Sequence, residues 1–497
     1  MPPDGATPWG VLGIFAVMLP VLGMVLALPL GARGAERLTL ALVPVGIGLS
    51  IAIALAVYAD RAPLWHALGH WRPPLGLAFR LDGLSAAMMM TAALVIGATA
   101  FFARGQFGTA PAAAEARAAF AFWPLLLGIW GATNLALAAN DLFTFYVALE
   151  LLTFAAMPMV ALDGKRETLE AALRYLMFAL LGSVLYLLGV ALVYGAAGTL
   201  DVVVLKGRLG GTFPVLLAAA LMTAGLLAKT ALLPLHLWLP PAHAGAPAAA
   251  SAVLSALVVK GSFILLVRLW FGVLPGIPGP LAAQVLAGLG AAAILLGSVA
   301  ALAQTRLKLL VAYSTVAQIG YLFLMFPLIA AMPGTETAAK AWTGGVVQAV
   351  SHAFAKAAMF LAVGLMAKRL GHDRIDGLAG AGRALPLPLI TFGLAGLTLM
   401  GVPPSGGFAA KWLLLAAAIE AGQWWWALVI LGGGLLTGGY VYRVLSAGLR
   451  SGEAPAARPM GGGAKIALAL AIASVLLGFL PLGAFGLVQI GRLDAMP

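Results

Sequence analysis

The chain has 497 residues, of which 62% are hydrophobic and only 9% charged, and its mean hydropathy is +1.03. A composition this apolar excludes a water-soluble globular protein and indicates a polytopic membrane protein. The formal charge of +12 reads as membrane topology with no case for nucleic-acid binding, and the absence of cysteine excludes thiol chemistry, disulfides and cysteine-ligated clusters.

Apolar runs begin near residues 9, 37, 83, 118, 141, 168, 213, 248, 280, 308, 343, 385, 423 and 463, which predicts about fourteen transmembrane helices of about 20 residues each. The expected fold class is all-α. The first basic residues, Arg33 and Arg37, follow the first run, so that run reads as a retained helix and not as a cleaved signal. Lys and Arg are about twice as frequent in the loops after odd-numbered spans, which places both termini on the outer side of a bacterial-type inner membrane.

Residues 1–60 give two spans without buried charge, and 61–82 read as a polar connection holding His66, His70 and Arg72, the two histidines as surface residues beside the membrane. Spans three and four, residues 83–140, suggest packing alone. The fifth span opens with Asn140-Asp141 and contains Glu150. Nine residues in, at a rise of about 13 Å, that carboxylate is near mid-bilayer. There it must be paired, protonated or in a wet cavity, the plainer alternative being a neutral glutamate that bonds two helices together. Lys165, Arg166, Glu167, Glu170 and Arg174 then read as an interfacial anchor.

The seventh and eighth spans, LLAKTALLPLHLWLPPAHAGAPAAASAVLSALVVK, organise the chain. Lys229 and Lys260 are ammonium groups in apolar runs, each costing roughly 2.5–3.5 kcal/mol to insert. Between them Pro234, Pro240 and Pro241 forbid a continuous helix, and His236 and His243 sit in or just after the break. A cation beside an interrupted helix at membrane depth is a common transporter construction. Arg268 reads as snorkelling to the interface.

Lys308 lies near a span boundary, where snorkelling competes with a buried role. His352 and Lys356 are four residues apart and share a helix face, so they form either a proton relay or a polar packing patch. A second break, Gly401-Val-Pro-Pro-Ser-Gly-Gly-Phe408, is followed by Lys411. Two broken helices in corresponding positions suggest two inverted five-helix repeats. The expected organisation is N-terminal helices at 1–110, a first repeat at 111–272, a second at 273–450, and a loop with a final span at 451–497. Trp424, Trp425 and Trp426 read as an interfacial anchor, and 451–464 as a flexible loop.

The candidate proton path is therefore Glu150, Lys229, Lys260, His352, Lys356 and Lys411, with His236, His243, Lys308 and Asp141 as accessory candidates. Burial lowers a lysine pKa and a nearby carboxylate raises it, so a Glu150–Lys229 pair would hold its proton when closed and release it when opened. The histidines lack close carboxylate companions, which leaves a metal site unsupported. No phosphate loop, dinucleotide fingerprint or nucleophile elbow occurs, and no cofactor or catalytic centre is expected in this chain.

At these residues the chain resembles the antiporter-like membrane subunits shared by respiratory complex I, Mrp cation/proton antiporters and membrane-bound hydrogenases. The resemblance covers roughly residues 80–450 and rests on NDLFTFYVALE, AKTALLPLHLWLPPAHAGAP, KLLVAYSTVAQIGY, SHAFAKAAMF and GVPPSGGFAAKW. It implies that Glu150, Lys229, Lys260 and Lys411 match the family's central proton path, and that His352 and Lys356 match positions in the eleventh span. Pro241 stands where many members carry an acid, so any role of that acid is absent here. The chain looks more like the shorter members and the Mrp D-type subunit, without the long lateral helix of the largest complex I member.

The implied function is a proton-translocating subunit of an energy-converting complex whose other membrane subunits are its partners, a subunit of a proton-translocating oxidoreductase in that case. The alternatives are a redox-independent subunit exchanging Na+ or K+ for protons, an ion-path subunit for inorganic-carbon uptake with a soluble zinc partner, and a non-conducting scaffold. A scaffold has no need of buried charge, since apolar residues would serve it better in lipid.

Overall fold

The computed structural model describes residues 6–108, 115–452 and 461–492. Most of the loop expected at 451–464 falls at 453–460, outside the described residues. The chain opens with α1 (Leu12–Ala27) and α2 (Gly31–Asp60). The polar connection is a small antiparallel hairpin, β1 (Leu64–Ala67) with β2 (Ala78–Leu81), in which Leu64 faces Leu81 and His66 faces Phe79. All four residues of β2, Arg80 included, are buried.

Next come α3 (Gly83–Phe107), α4 (Arg117–Ala138), α5 (Leu142–Val160), α6 (Arg166–Ala197) and the short α7 (Val202–Leu205). Asp82, Asp141 and Asp201 each turn a side-chain oxygen onto the first free amides of the helix that follows, groups that have no partner within the helix itself. The seventh span is split into α8 (Phe213–Thr230) and α9 (Leu239–Gly245). The eighth is built from α10 (Ala248–Val253), a π-helical turn at Leu254–Val258, α11 (Val259–Arg268) and a second π-helical turn at Leu269–Val273.

The second half holds α12 (Gly279–Ala303), α13 (Leu307–Phe323), α14 (Met325–Ala331), α15 (Glu336–Leu370), α16 (Ala381–Ala384), the broken pair α17 (Pro386–Met400) and α18 (Gly406–Glu420), α19 (Trp425–Leu449) and α20 (Gly463–Leu476). Among the described residues eleven helices are long and apolar enough to cross a membrane, or twelve if the bent C-terminal pair is one span. The fourteen expected from apolar runs are not reached on length. The shortfall lies in α1, with 16 residues, and in the twelfth run, which Pro403, Pro404 and neighbouring glycines split into two pieces of 15.

The helices differ in what surrounds them. The most apolar window of Ala248–Val273 is entirely buried, and those of Leu307–Ala331 and Glu336–Leu370 are 89% and 83% buried, against 39% for Gly31–Asp60. A helix apolar on every side and enclosed by other helices is a core element. Here the core helices are those that carry Lys260, Lys308, His352 and Lys356, with α15 packed against α10, α13, α17, α18 and α20.

Candidate functional site

α8 ends at Ala231, which takes a left-handed conformation at φ 59°. Pro234 and Pro240 have no N–H to continue the ladder. The freed carbonyl of Ala228 instead accepts from Trp238 Nε1 at 2.9 Å, and the Trp238 ring stacks on Tyr175 at 4.3 Å. The break is thus satisfied by protein, as membrane depth requires. Lys229 lies in the last turn of α8, where the carbonyl end of the helix dipole favours a cation. Its Nζ donates to Glu150 Oε1 at 3.0 Å, Thr153 Oγ1 at 2.9 Å and Leu149 O at 3.5 Å. Ser183 donates to the same Glu150 oxygen.

Thr230 and Ser262, near neighbours in sequence of the first two lysines, are hydrogen-bonded at 2.9 Å. A cavity of about 10 Å³ lined by Lys229, Thr153, Tyr175 and Ser262 lies beside them, enough for one water. Lys260 Nζ donates to the carbonyl of Ser255, in the π-helical turn, at 2.6 Å. The Ser255 hydroxyl meets Thr315 Oγ1 at 3.0 Å. Thr315 Oγ1 donates in turn to Val311 O at 3.0 Å, and Lys356 Nζ donates to that same carbonyl at 3.0 Å and to Ser314 Oγ.

One turn before Lys356 on α15, His352 is wholly buried, within electrostatic range of Lys260, Lys356 and Lys411, and neither ring nitrogen has a hydrogen-bond partner. Another turn back, Gln348 Nε2 donates to Gln318 Oε1 at 3.0 Å, and Gln318 Nε2 donates to Leu399 O at 3.0 Å. Leu399 O also accepts from Lys411 Nζ at 2.6 Å, and Met400 O does so at 3.3 Å. These carbonyls are exposed because α17 stops at Gly401, φ 82°. Lys411 Nζ sits 4.0 Å from the centre of the Tyr321 ring, a cation–π contact. The six principal candidates therefore lie along an interrupted ladder of polar groups that is hydrogen-bonded from Glu150 to Lys229, from Lys260 to Lys356 and from Gln348 to Lys411, with no hydrogen bond between Ser262 and Lys260 or at His352.

The accessory candidates divide. His243 is buried and stacked on Phe360 at 4.6 Å, within electrostatic range of Lys356, Lys308 and Lys260. Lys308 Nζ donates to Ala246 O at 2.9 Å and lies on the walls of two cavities of about 960 and 360 Å³. His236 is half-buried in the turn between α8 and α9. Asp141 holds Phe143 N at 3.0 Å and Thr144 N at 2.8 Å as the cap of α5. Burial pushes its carboxyl above the usual range, against the pull of those bonds.

Residues 139–437 match the family described as NADH:quinone oxidoreductase/Mrp antiporter, transmembrane. NADH-quinone oxidoreductase subunit N of Desulforudis audaxviator is 34% identical over 494 residues, 95% of each chain. The chain belongs to this family. The D-type component of the Na(+)/H(+) antiporter of Alkalihalophilus pseudofirmus is 28% identical over 70% of this chain and 68% of that one. A chain in the structure of the Mrp complex from Dietzia sp. DQ12-45-1b is similar at a TM-score of 0.86 and 26% identity, over 98% of this chain and 97% of that one.

Within this antiporter-like chain the uncharged rungs, Thr153, Ser183, Ser255, Ser314, Thr315, Gln318 and Gln348, escape a reading of the sequence that follows charge. A signal is present: Gln348, His352 and Lys356 recur every four residues, and Ser314, Thr315 and Gln318 cluster in one apolar run. Arg268 is a correction. It does not snorkel but is buried, with Nη2 donating to Asp82 Oδ1 at 3.2 Å, Ser85 Oγ at 2.7 Å and Leu137 O at 3.2 Å. Its position at the end of α11 faces a buried carboxylate 186 residues away, so inward pairing replaces escape to the interface. Asp82 also pairs with Arg80 Nη1 at 2.5 Å.

Proposed function

We propose that this chain moves protons through the membrane along the ladder from Glu150 to Lys411, as the ion-translocating subunit of a multisubunit energy-converting membrane complex. The observation that carries this reading is the extent of the ladder. Its steps from the Glu150–Lys229 pair to Lys411 are hydrogen bonds, single turns of one helix and a gap the size of one water beside Lys229, except between Ser262 and Lys260, which are two residues apart on α11 with no hydrogen bond between them. Serine, threonine and histidine side chains both donate and accept, so they can pass protons between lysines. The two breaks supply polar backbone at membrane depth where a transported ion is held. Organisation as two inverted repeats, residence in a bacterial-type inner membrane and an outer location of both termini belong to the same proposal.

The likeness to an NADH-quinone oxidoreductase chain favours partners that carry redox centres, and the likeness to an Mrp chain over nearly its full length favours an antiporter that carries Na+ or K+ without redox chemistry. Mild-detergent purification of the tagged chain, with mass spectrometry and an iron assay of what accompanies it, separates the two. Co-purified iron–sulfur subunits establish the first. Only hydrophobic, iron-free partners establish the second. A chain that purifies alone contradicts both.

A further inference from the structure

We propose that Arg268 is a positioning residue for Lys260, acting through the helical strut that carries both. This inference rests on the reading of Lys260 as a member of the proton path. The strut is α11, and it is bounded at each end by a π-helical turn, Leu254–Val258 and Leu269–Val273. A π-helical turn bonds each amide to the carbonyl five residues back, one more than in an α-turn, and is a recurrent device at functional sites. With such a turn at both ends, α11 departs from the α-helical register of the rest of its span, so its rotation and height are set by what its own side chains hold.

Two of them are placed to do so. Lys260, near the inner end, grips the Ser255 carbonyl that the first π-helical turn presents, at 2.6 Å. Arg268, at the outer end, is held by the three acceptors Asp82, Ser85 and Leu137. The two side chains are separated by about 12 Å along the axis and by about 80° around it. Fixing the guanidinium therefore fixes the direction in which the ammonium leaves the helix. Asp82 belongs to the cap of α3 and Leu137 to α4, so the strut is registered against the N-terminal helices and not against its own span.

The charge balance shows why Arg268 is the member to alter. Two guanidinium groups share one carboxylate. Without Arg268, Asp82 keeps Arg80 at 2.5 Å and the Ser85 amide at 2.9 Å. Arg268→Gln therefore leaves no orphaned buried charge, whereas removing Asp82 takes the shared carboxylate from both guanidinium groups.

The chain has no cysteine, so a Ser255→Cys/Thr315→Cys pair reports the inner π-helical turn directly. The two hydroxyl oxygens are 3.0 Å apart, and a disulfide requires that kind of proximity. In the assembled complex the pair closes readily under mild oxidation when Arg268 is present, several-fold more slowly with Arg268→Gln, and again readily with Arg268→Lys. Equal closure in all three overturns the proposal. If Arg268→Gln does not assemble, Ser85→Ala removes one of the three acceptors and gives the same ordering in smaller measure; unchanged closure there is equally decisive. Proton movement is measured in parallel with Ser255 and Thr315 intact. Closure that depends on Arg268 beside unaltered proton movement upholds the positioning and sinks the proton-path reading of Lys260.

Discussion

The two halves of the molecule solve one problem with different chemistry. Each has a broken helix, a lysine beside the break, and a pair of helices brought into backbone contact by glycines. A Cβ on Gly225 would collide with the Gly182 carbonyl, and one on Gly320 would collide with that of Gly290. In the first half the lysine belongs to the piece before the break and holds a carboxylate, Glu150. In the second half it belongs to the piece after the break and reaches back to the carbonyl end of α17, with an aromatic ring beneath it. Lys229 is stabilised by a partner that can move away or be neutralised. Lys411 is stabilised by a helix terminus that cannot. On the proposed proton path the first arrangement would act as a switch and the second as a fixed receiving station.

Breaking the switch has the largest expected effect. Lys229→Met leaves Glu150, only 14% exposed, without its cation, and removing one partner of a buried pair costs about 3–5 kcal/mol. The double variant Glu150→Gln/Lys229→Met regains most of that stability because no buried charge remains. Thermal unfolding of the purified complexes checks the ordering; a double variant no more stable than the single one contradicts the pairing.

At the receiving station the chemistry of the substitute decides the outcome. Lys411→Ala abolishes proton movement. Lys411→Glu retains part of it, since a neutral carboxyl can donate to Leu399 O where alanine cannot. The advantage of glutamate shrinks as pH rises, because an ionised carboxylate faces two carbonyl oxygens and the negative end of a helix dipole. Equal loss at every pH would show that this site needs a cation.

The shared glycine device gives a smaller, symmetrical effect. Gly225→Ala and Gly320→Ala each force helices apart at a cost of about 1–3 kcal/mol. Only Gly225→Ala also slows proton movement strongly, because Gly182 on its partner helix lies against the Lys229 side chain. Similar slowing by both would erase the distinction between the halves.

Away from the proposed path, Asp82 gives the smallest effect. Burial pushes its carboxyl up, but Arg268, Arg80 and the Ser85 bonds together hold it below its usual range. A carboxylate depressed in the folded state contributes stability above its unfolded pKa of about 3.9 and loses it as pH falls through the folded value. Melting curves of Arg268→Gln therefore show a weaker acid loss below about pH 4 than those of the parent chain.

What can be read from the sequence follows from the cost of charge in lipid. A lysine or glutamate in an apolar run has few innocent explanations, so Glu150, Lys229, Lys260, Lys356 and Lys411 stand out, and the prolines mark both breaks. Serine and threonine rungs such as Ser255 and Thr315 do not, because hydroxyls are tolerated in any helix by bonding to the carbonyl one turn back. The π-helical turns around α11 leave no compositional trace, being set by packing on every side. Arg268 misleads because depth along a span is visible while its partner Asp82, far away in sequence, is not. The count of fourteen is not reached on length where a helix is short, as in α1, or broken, as between α17 and α18, since hydropathy sees the run and not the turn.

The most direct test of the central claim uses the Glu150→Gln/Lys229→Met complex in sealed vesicles with a pH-sensitive dye, after its assembly and melting have matched the parent. Proton movement lost from a fully assembled and stable complex is the predicted result. Movement at the parent rate would show that protons cross this protein by another route and would contradict the account.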